Sequence, residues 1–283
     1  MKYINPKRKA PVQISLLRFS FKLMSSLSTS LASKMAIKIF YRPRRSPLKA
    51  SELEKLTEAK SFTFFYKNFK LQTYYWGEGK PILFIHGWDG KGIDSMKMID
   101  PLVKAGNRVI IIDMPGHGKS TGNNIDMTDF IGSILLMQEK FGIFYGIIGH
   151  SFGGLAIITS LLHNKVSLEK LVLISSPASV DTVFTSFQSI LKIKDKMLNN
   201  IKKDANRRTG LTMINYPSNE DISSINIPTF VIHDTYDMIV PSTDANKLNS
   251  LLPESKLLKT DNLGHQRILS DPEVISQVVK FFI

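Results

Sequence analysis

The sequence is most constrained at residues 149–153, where Gly-His-Ser-Phe-Gly separates two apolar segments. Residues 146–148 are typical of the end of a buried strand, and residues 154–162 have the composition of a helix. A serine at the apex of so tight a strand–turn–helix connection needs small flanking residues, because those positions lie against the neighbouring strand and helix. The pattern therefore predicts that Ser151 projects from the carboxyl edge of a sheet, beside the N–H groups that begin a helix.

The rest of the chain after residue 51 alternates short apolar runs with amphipathic segments. Residues 62–66 and 70–76 are predicted to form two antiparallel strands. Further strands are predicted at residues 81–87, 108–113, 170–175, 228–234 and 256–259. Several of these runs are apolar throughout, as expected of strands buried on both faces. We therefore predict an α/β fold with a mostly parallel sheet and helices on both faces.

The net charge of +13 is concentrated near the N-terminus. Residues 1–51 hold twelve of the 37 basic residues and no acidic residue, which leaves 25 basic against 24 acidic residues in the rest of the chain. The body is thus electrically balanced, and no nucleic-acid partner is expected. We accordingly divide the chain into a basic N-terminal extension, residues 1–50, and one large domain, residues 51–283.

The extension combines a helical spacing of apolar residues with a Pro- and Arg-rich linker at residues 42–47. Three interpretations stay open: a helix docked on the body or a poorly ordered tail, an interfacial helix attracted to anionic lipid, and an organellar targeting segment. No uncharged apolar stretch of about 18 residues occurs, so no spanning helix is expected. We predict a cytoplasmic protein, with a membrane-peripheral or organellar location as the alternatives.

Residues 178–224 interrupt the alternation of strands and helices. Their apolar residues, among them Phe184 and Phe187, are spaced for one or two amphipathic helices rich in lysine. We interpret this segment as a short helical cap inserted over the site at the sheet edge. An ordinary surface crossover is the alternative.

Four further motifs accompany the serine turn. They are His86-Gly87-Trp88, the turn at residues 113–120, Asp237 after the strand at residues 228–234, and Gly264-His265. With this set, in this order, the chain resembles the serine-type α/β-hydrolases over roughly residues 62–283. The resemblance implies an eight-stranded-type α/β-hydrolase sheet with a helical cap.

The resemblance also implies a role for each site residue. A serine hydroxyl needs a base to take its proton, and an imidazole needs a carboxylate to orient it. Ser151 is thus the candidate nucleophile, His265 the candidate base and Asp237 the candidate acid. The backbone N–H groups of Trp88 and Phe152 would form the oxyanion hole.

Other titratable residues are weaker candidates. Asp234 lies at the end of a predicted strand, where proteins that resemble this one usually carry a small turn residue. Asp261 lies too close to the histidine loop to match the position of the acid in such proteins. His86 is expected to shape the loop that bears the oxyanion hole, and His150 to pack beside the serine turn. The chain has no cysteine, and no histidine–carboxylate cluster has metal-ligand spacing. Neither a metal nor a cofactor is therefore expected.

A serine at the turn argues against haloalkane and epoxide hydrolases, which use an aspartate there. We predict hydrolysis of a carboxylic ester or thioester of a small apolar substrate through an acyl-enzyme; amide cleavage, carbon–carbon bond hydrolysis and acyl transfer stay open. The predicted pocket wall includes Trp88, Phe152, Phe184 and Phe187. Two alternatives remain: a lysophospholipid or monoacylglycerol lipase held at a membrane by residues 1–50, and a non-catalytic small-molecule receptor or scaffold.

Overall fold

The computed structural model describes residues 12–163, 166–210 and 216–283. At its centre is a sheet of eight strands in the order β1-β2-β4-β3-β5-β6-β7-β8. The strands are β1 (Lys60–Tyr66), β2 (Phe69–Trp76), β3 (Lys80–Ile85), β4 (Asn107–Ile112), β5 (Phe144–His150), β6 (Leu168–Ile174), β7 (Thr229–Asp234) and β8 (Ser255–Thr260). Strand β2 is antiparallel to β1 and β4, and all other pairs are parallel, which confirms the predicted mostly parallel sheet.

Helices cover both faces of this sheet. They are α1 (Val12–Leu27), α2 (Thr29–Phe40), α3 (Ala50–Thr57), α4 (Met96–Lys104), α5 (Met127–Phe141), α6 (Phe152–Leu162), α7 (Val180–Leu191), α8 (Asp195–Thr209), α9 (Asn219–Ser223), α10 (Ser242–Leu251), α11 (Gly264–Arg267) and α12 (Pro272–Phe282). In β3, Leu83 and Ile85 face one apolar core and Ile82 and Phe84 face the other. Because alternate side chains of a strand point to opposite faces, an all-apolar strand requires a core on each side.

The basic extension contributes two helices rather than one. Ser28 separates α1 from α2, and its side chain caps the second helix by accepting a hydrogen bond from the Leu31 N–H at 3.3 Å. Residues 1–11 of the extension lie outside the described residues.

Both extension helices pack against the segment interpreted as a cap. Helix α2 contacts α8, and α1 contacts α7. The Arg18 guanidinium donates to the Ile190 carbonyl at 2.9 Å, and the Asn200 amide donates to Ser33 Oγ at 2.9 Å. The extension and residues 180–209 thus form one helical layer.

The linker after α2 is fixed to the body by arginine contacts. The Arg44 N–H and guanidinium donate to the Asp89 carboxylate at 2.7 and 3.0 Å. The Arg45 guanidinium donates to the carbonyls of Gly116 and Ser120 at 3.1 and 2.6 Å. These bonds hold the end of the extension beside the carboxyl edge of the sheet.

The segment at residues 178–224 contains helices α7, α8 and α9, where one or two were expected. Residues 211–215 of this segment lie outside the described residues. The first of the three is anchored by Asp244, whose carboxylate accepts hydrogen bonds from the Ala178 N–H at 2.8 Å and the Thr182 hydroxyl at 2.7 Å. In the described part of the chain, no helix has both the length and the hydropathy to cross a membrane.

Candidate active site

Ser151 lies at the turn between β5 and α6 with φ = 53° and ψ = −126°, a left-handed φ that costs a non-glycine residue about 1–3 kcal/mol. The turn is held because the Ser151 N–H donates to the Ile174 carbonyl at 2.9 Å. A Cβ on Gly149 would lie 2.6 Å from the Gly154 Cα, and one on Gly153 would lie 2.5 Å from the Ile85 carbonyl oxygen. Glycine is therefore required on both sides of the serine, as the sequence pattern indicated.

His265 is the second residue of α11, the short helix that follows the loop after β8, and both it and Ser151 line the same cavity. Its Nδ1 lies 2.7 Å from Asp237 Oδ2. Since a carboxylate can only accept, this bond places the proton on Nδ1 and leaves a lone pair on Nε2. Among the described residues, Ser151 Oγ and the imidazole share no hydrogen bond; such bonds are often long in unliganded sites and shorten when substrate binds.

Asp237 is buried in the loop that follows β7, and both its oxygens have partners. Oδ2 accepts from His265, and Oδ1 accepts from the Ile239 and Val240 N–H groups at 2.8 and 3.0 Å. Burial by itself raises the pKa of this carboxyl, but these hydrogen bonds and the electrostatic attraction to the His265 ring outweigh it and lower the pKa below its usual value. Asp237 is therefore ionised at neutral pH.

Asp234 has a structural part in the site that the sequence did not reveal. Its Oδ2 accepts hydrogen bonds from the Thr260 hydroxyl at 2.8 Å and the Leu263 N–H at 2.9 Å, while Oδ1 accepts from the Tyr236 N–H at 3.0 Å. The carboxylate thereby joins the loop that carries the acid to the loop that carries the histidine. The sequence analysis considered Asp234 only as an alternative to Asp237 as the catalytic acid. Its hydrogen bonds make it a positioning residue instead.

Two neutral histidines fix the loop around Trp88. His86 Nε2 accepts from the Met114 N–H at 2.9 Å, and its Nδ1–H donates to the Gly87 carbonyl at 2.8 Å. His117 Nε2 likewise accepts from the Asp89 N–H at 3.1 Å. Burial lowers the pKa of His117 to about 4 and the pKa of His86 well below its usual value, so both rings stay neutral and keep these tautomers.

The loop passes very close to the nucleophile turn. A Cβ on Gly87 would lie 2.8 Å from the Ser151 Cβ. In the described part of the chain, the N–H groups of Trp88 and Phe152 have no hydrogen-bond acceptor. Two unpaired N–H groups on either side of a serine are what a developing oxyanion requires.

His150 contacts the candidate base directly. Its Nε2 lies 2.8 Å from the His265 carbonyl oxygen, to which it donates. Burial, followed by the nearby His265 ring, lowers the pKa of His150 to about 3, so this ring also stays neutral at physiological pH. The sequence analysis expected only packing here; the hydrogen bond depends on a residue 115 positions away.

A cavity of about 250 Å³ extends from Ser151 and His265. Apolar and aromatic side chains dominate its lining. Trp88, Phe152, Phe184 and Phe187 all lie in the wall, in the places given to them by the sequence analysis.

The extension supplies a large part of the same wall. Its contributions are Ile14, Leu17, Ile39, Phe40, Tyr41, Arg42 and Arg44. The Phe40 ring stacks on Phe184 and meets Phe187 edge-on, with centroids 5.5 and 5.0 Å apart. The sequence analysis considered a helix docked on the body among three interpretations of the extension, but it named none of these residues as part of the pocket wall.

Within residues 12–163, 166–210 and 216–283, no group of three or more histidine, cysteine, aspartate or glutamate side chains is arranged to hold a metal ion. The site is thus built from a serine, an imidazole, a carboxylate and backbone N–H groups.

Comparison with known proteins agrees with this architecture. The family model for the alpha/beta hydrolase fold matches residues 80–215. Together with the strand order and the serine turn, the match shows that the chain has the α/β-hydrolase fold.

Relatives cover most of the chain at low identity. The AB hydrolase superfamily protein YisY of Bacillus subtilis (strain 168) is 23% identical over 250 residues; the match covers 73% of this chain and 92% of that protein. The 2-hydroxy-6-oxo-6-(2'-aminophenyl)hexa-2,4-dienoic acid hydrolase of Metapseudomonas resinovorans is 25% identical over 253 residues; the match covers 73% of this chain and 85% of that protein. The solved structure of an esterase from Exiguobacterium antarcticum has a TM-score of 0.60 at 20% identity, covering 76% of this chain and 96% of that one. The structural likeness concerns the fold alone.

Proposed function

We propose that this protein hydrolyses carboxylic esters of small or medium-sized apolar acids through an acyl-enzyme on Ser151. The observation that carries the proposal is the position of Ser151 in a strained turn that faces an apolar cavity. The same cavity is lined by His265, whose imidazole is already hydrogen-bonded to the buried carboxylate of Asp237. This is the arrangement that activates a serine hydroxyl.

The proposed reaction uses each of these groups in turn. The His265 Nε2 lone pair takes the Ser151 proton as Oγ attacks the ester carbonyl carbon, and the carboxylate of Asp237 stabilises the imidazolium. The carbonyl oxygen becomes an oxyanion that accepts hydrogen bonds from the N–H groups of Trp88 and Phe152. The imidazolium then protonates the departing alcohol oxygen as the carbon–oxygen bond breaks.

Deacylation follows by the same chemistry. The neutral His265 takes a proton from a water molecule, which attacks the acyl carbon and forms a second oxyanion in the same place. Collapse of this intermediate returns the proton to Ser151 Oγ and releases the carboxylic acid. One water molecule is consumed for each ester that is cleaved.

The cavity supports the choice of substrate size. At about 250 Å³ it lies just below the range of about 300–1,000 Å³ that is usual for small-molecule sites. An acyl chain of intermediate length would fill it and contact Phe184 and Phe187, whereas a long chain would have to leave it. We therefore expect kcat/KM to rise from acetate to an intermediate length and to fall by dodecanoate.

A p-nitrophenyl ester series from acetate to dodecanoate tests the proposal, with wild type, Ser151→Ala and Ser160→Ala compared. Ser160 is a buried serine in α6, the helix that begins directly after Ser151, and its hydroxyl donates to the Ala156 carbonyl. The Ser160→Ala variant therefore controls for the loss of any buried serine hydroxyl. We expect Ser151→Ala to lose roughly 10³-fold or more in kcat, and Ser160→Ala to stay within a few-fold. Labelling by a fluorophosphonate at the peptide containing Ser151 provides a second measurement.

Other results would redirect the assignment. A wild type that is labelled at Ser151 but hydrolyses no ester would favour cleavage of another acyl bond. The relative from Metapseudomonas resinovorans is named as a hydrolase of a hexadienoic acid, so a compound of that class is the next substrate to assay. Failure of both labelling and hydrolysis would favour a receptor role. Equal activity of wild type and Ser151→Ala would place the chemistry elsewhere.

A further inference from the structure

Helix α1 has apolar side chains on two opposite faces. On its inner face, Ile14 and Phe21 are buried, and Ile14 and Leu17 line the cavity. Its outer face carries five apolar side chains that are each more than half exposed: Val12, Leu16, Phe19, Leu23 and Leu27. A helix that only closed a cavity would need the inner face alone.

The exposed residues form a continuous stripe. Steps of four, three, four and four residues at about 100° per residue keep all five within a sector of roughly 80°, along a helix about 24 Å long. Six of the thirteen large exposed apolar side chains of the described residues lie in residues 12–31, the sixth being Leu31 in the first turn of α2. Such a concentration marks a surface that binds something apolar.

Positive charge accompanies this stripe. Lys22 on α1 and Lys34 and Lys38 on α2 are exposed, and within the described part of the chain none of the three forms an ion pair. Residues 1–51 contain twelve basic residues and no acidic one. An apolar stripe beside unpaired lysines matches the two features of an anionic lipid surface, its acyl boundary and its phosphate groups.

We propose that the outer face of α1 docks this protein on anionic membrane surfaces, with Phe19 and Leu23 at the centre of the inserted stripe and the lysines of α1 and α2 on the lipid phosphates. A second copy of the chain is a poorer occupant, because self-association through this face would bring two acid-free extensions together. The docking would place the cavity one helix diameter, about 10 Å, from the lipid. Direct entry of a membrane-dissolved ester into that cavity rests on the proposed function; the docking itself does not.

Co-sedimentation of the full chain with vesicles tests the docking. We expect binding to phosphatidylcholine–phosphatidylglycerol vesicles (7:3) that weakens with added salt, and much weaker binding to phosphatidylcholine alone. The double variant Phe19→Ser/Leu23→Ser should lose at least about tenfold in partition coefficient. Its matched control is Phe65→Ser/Ile143→Ser, two apolar residues that are similarly exposed but lie outside the extension, and this control should bind as wild type does.

Two further measurements separate insertion from simple charge attraction. Lys34→Ala and Lys38→Ala should each weaken binding to the anionic vesicles about fivefold without changing binding to neutral ones. In a Leu23→Trp variant, brominated lipids should quench more tryptophan fluorescence than they quench in wild type. A Phe65→Trp variant should show no such additional quenching.

Several outcomes would overturn the docking proposal. Absence of binding to the anionic vesicles would do so, and so would equal losses in the two double variants. A dimer in sedimentation velocity that Phe19→Ser/Leu23→Ser abolishes, without vesicle binding, would assign the stripe to self-association instead. Hydrolysis of a short soluble ester is measured in parallel and depends on the catalytic site rather than on the outer face of α1, so failure of the proposed function and failure of the docking are distinguishable.

Discussion

Replacing Asp237 by asparagine tests the proposed catalytic arrangement most directly, because the structure determines how an amide would sit there. Oδ1 accepts two backbone N–H groups, from Ile239 and Val240, so the amide oxygen must take that side. The amide nitrogen is then left facing His265 Nδ1. Since an amide nitrogen only donates, the ring must present a lone pair at Nδ1 and carry its proton on Nε2. The base can then no longer accept the serine proton.

The wrong tautomer in an otherwise intact site costs about 10⁴-fold in kcat in serine hydrolases that use this triad, equivalent to about 5.4 kcal/mol of transition-state free energy. We expect a fall of that order in Asp237→Asn. The free energy of unfolding should fall by only about 1–2 kcal/mol, because both backbone hydrogen bonds are kept and one charge-assisted bond becomes neutral.

The assay is steady-state hydrolysis of the best p-nitrophenyl ester, with urea unfolding measured on the same samples. Asp261→Asn is the matched control: it is the same substitution, at an exposed aspartate four residues before His265, and should leave kcat within about twofold. A folded Asp237→Asn protein that keeps kcat within tenfold of wild type would refute the assigned role. A similar loss in both variants would show that the loop, rather than the tautomer, is at issue.

Three other predictions concern stability, the oxyanion loop and the pocket. Because burial depresses the pKa of His150 to about 3, the unfolded chain takes up a proton below pH 6.5 that the folded chain refuses, so stability falls as pH decreases. Between pH 7 and pH 5, His150→Gln should reduce that loss in the urea-derived free energy of unfolding by about 2 kcal/mol. Gly87→Ala should lower kcat by about 10²–10³ with little change in KM in steady-state assays, because its Cβ would push the oxyanion loop off the nucleophile turn; an unchanged kcat would contradict the crowding. Leu17→Trp should reduce kcat/KM for the octanoate ester far more than for the acetate ester. Leu16→Trp, on the outer face of the same helix, should change kcat/KM for neither ester, and equal losses in the two variants would contradict the inner-face assignment of Leu17.

The sequence determined the sheet and the turn because both depend on local pattern. All-apolar runs such as residues 81–85 can only be buried on both faces, and Gly149 and Gly153 are required wherever a serine is forced into so tight a turn. The resemblance to α/β-hydrolases then selected Asp237 and His265 from among several acids and histidines. The structure places these two 2.7 Å apart.

Only the tertiary structure decided what the polar residues around the site do and what closes the cavity. The hydrogen bonds of Asp234 and His150 join loops that are far apart in sequence, and no local pattern records which carbonyl or N–H group a buried side chain will meet. The same holds for α1, whose apolar residues predicted a helix but not that Leu17 would reach the cavity while Phe19 stayed exposed. Sequence periodicity indicates that a helix has an apolar face; which face is buried depends on what the rest of the chain packs against it.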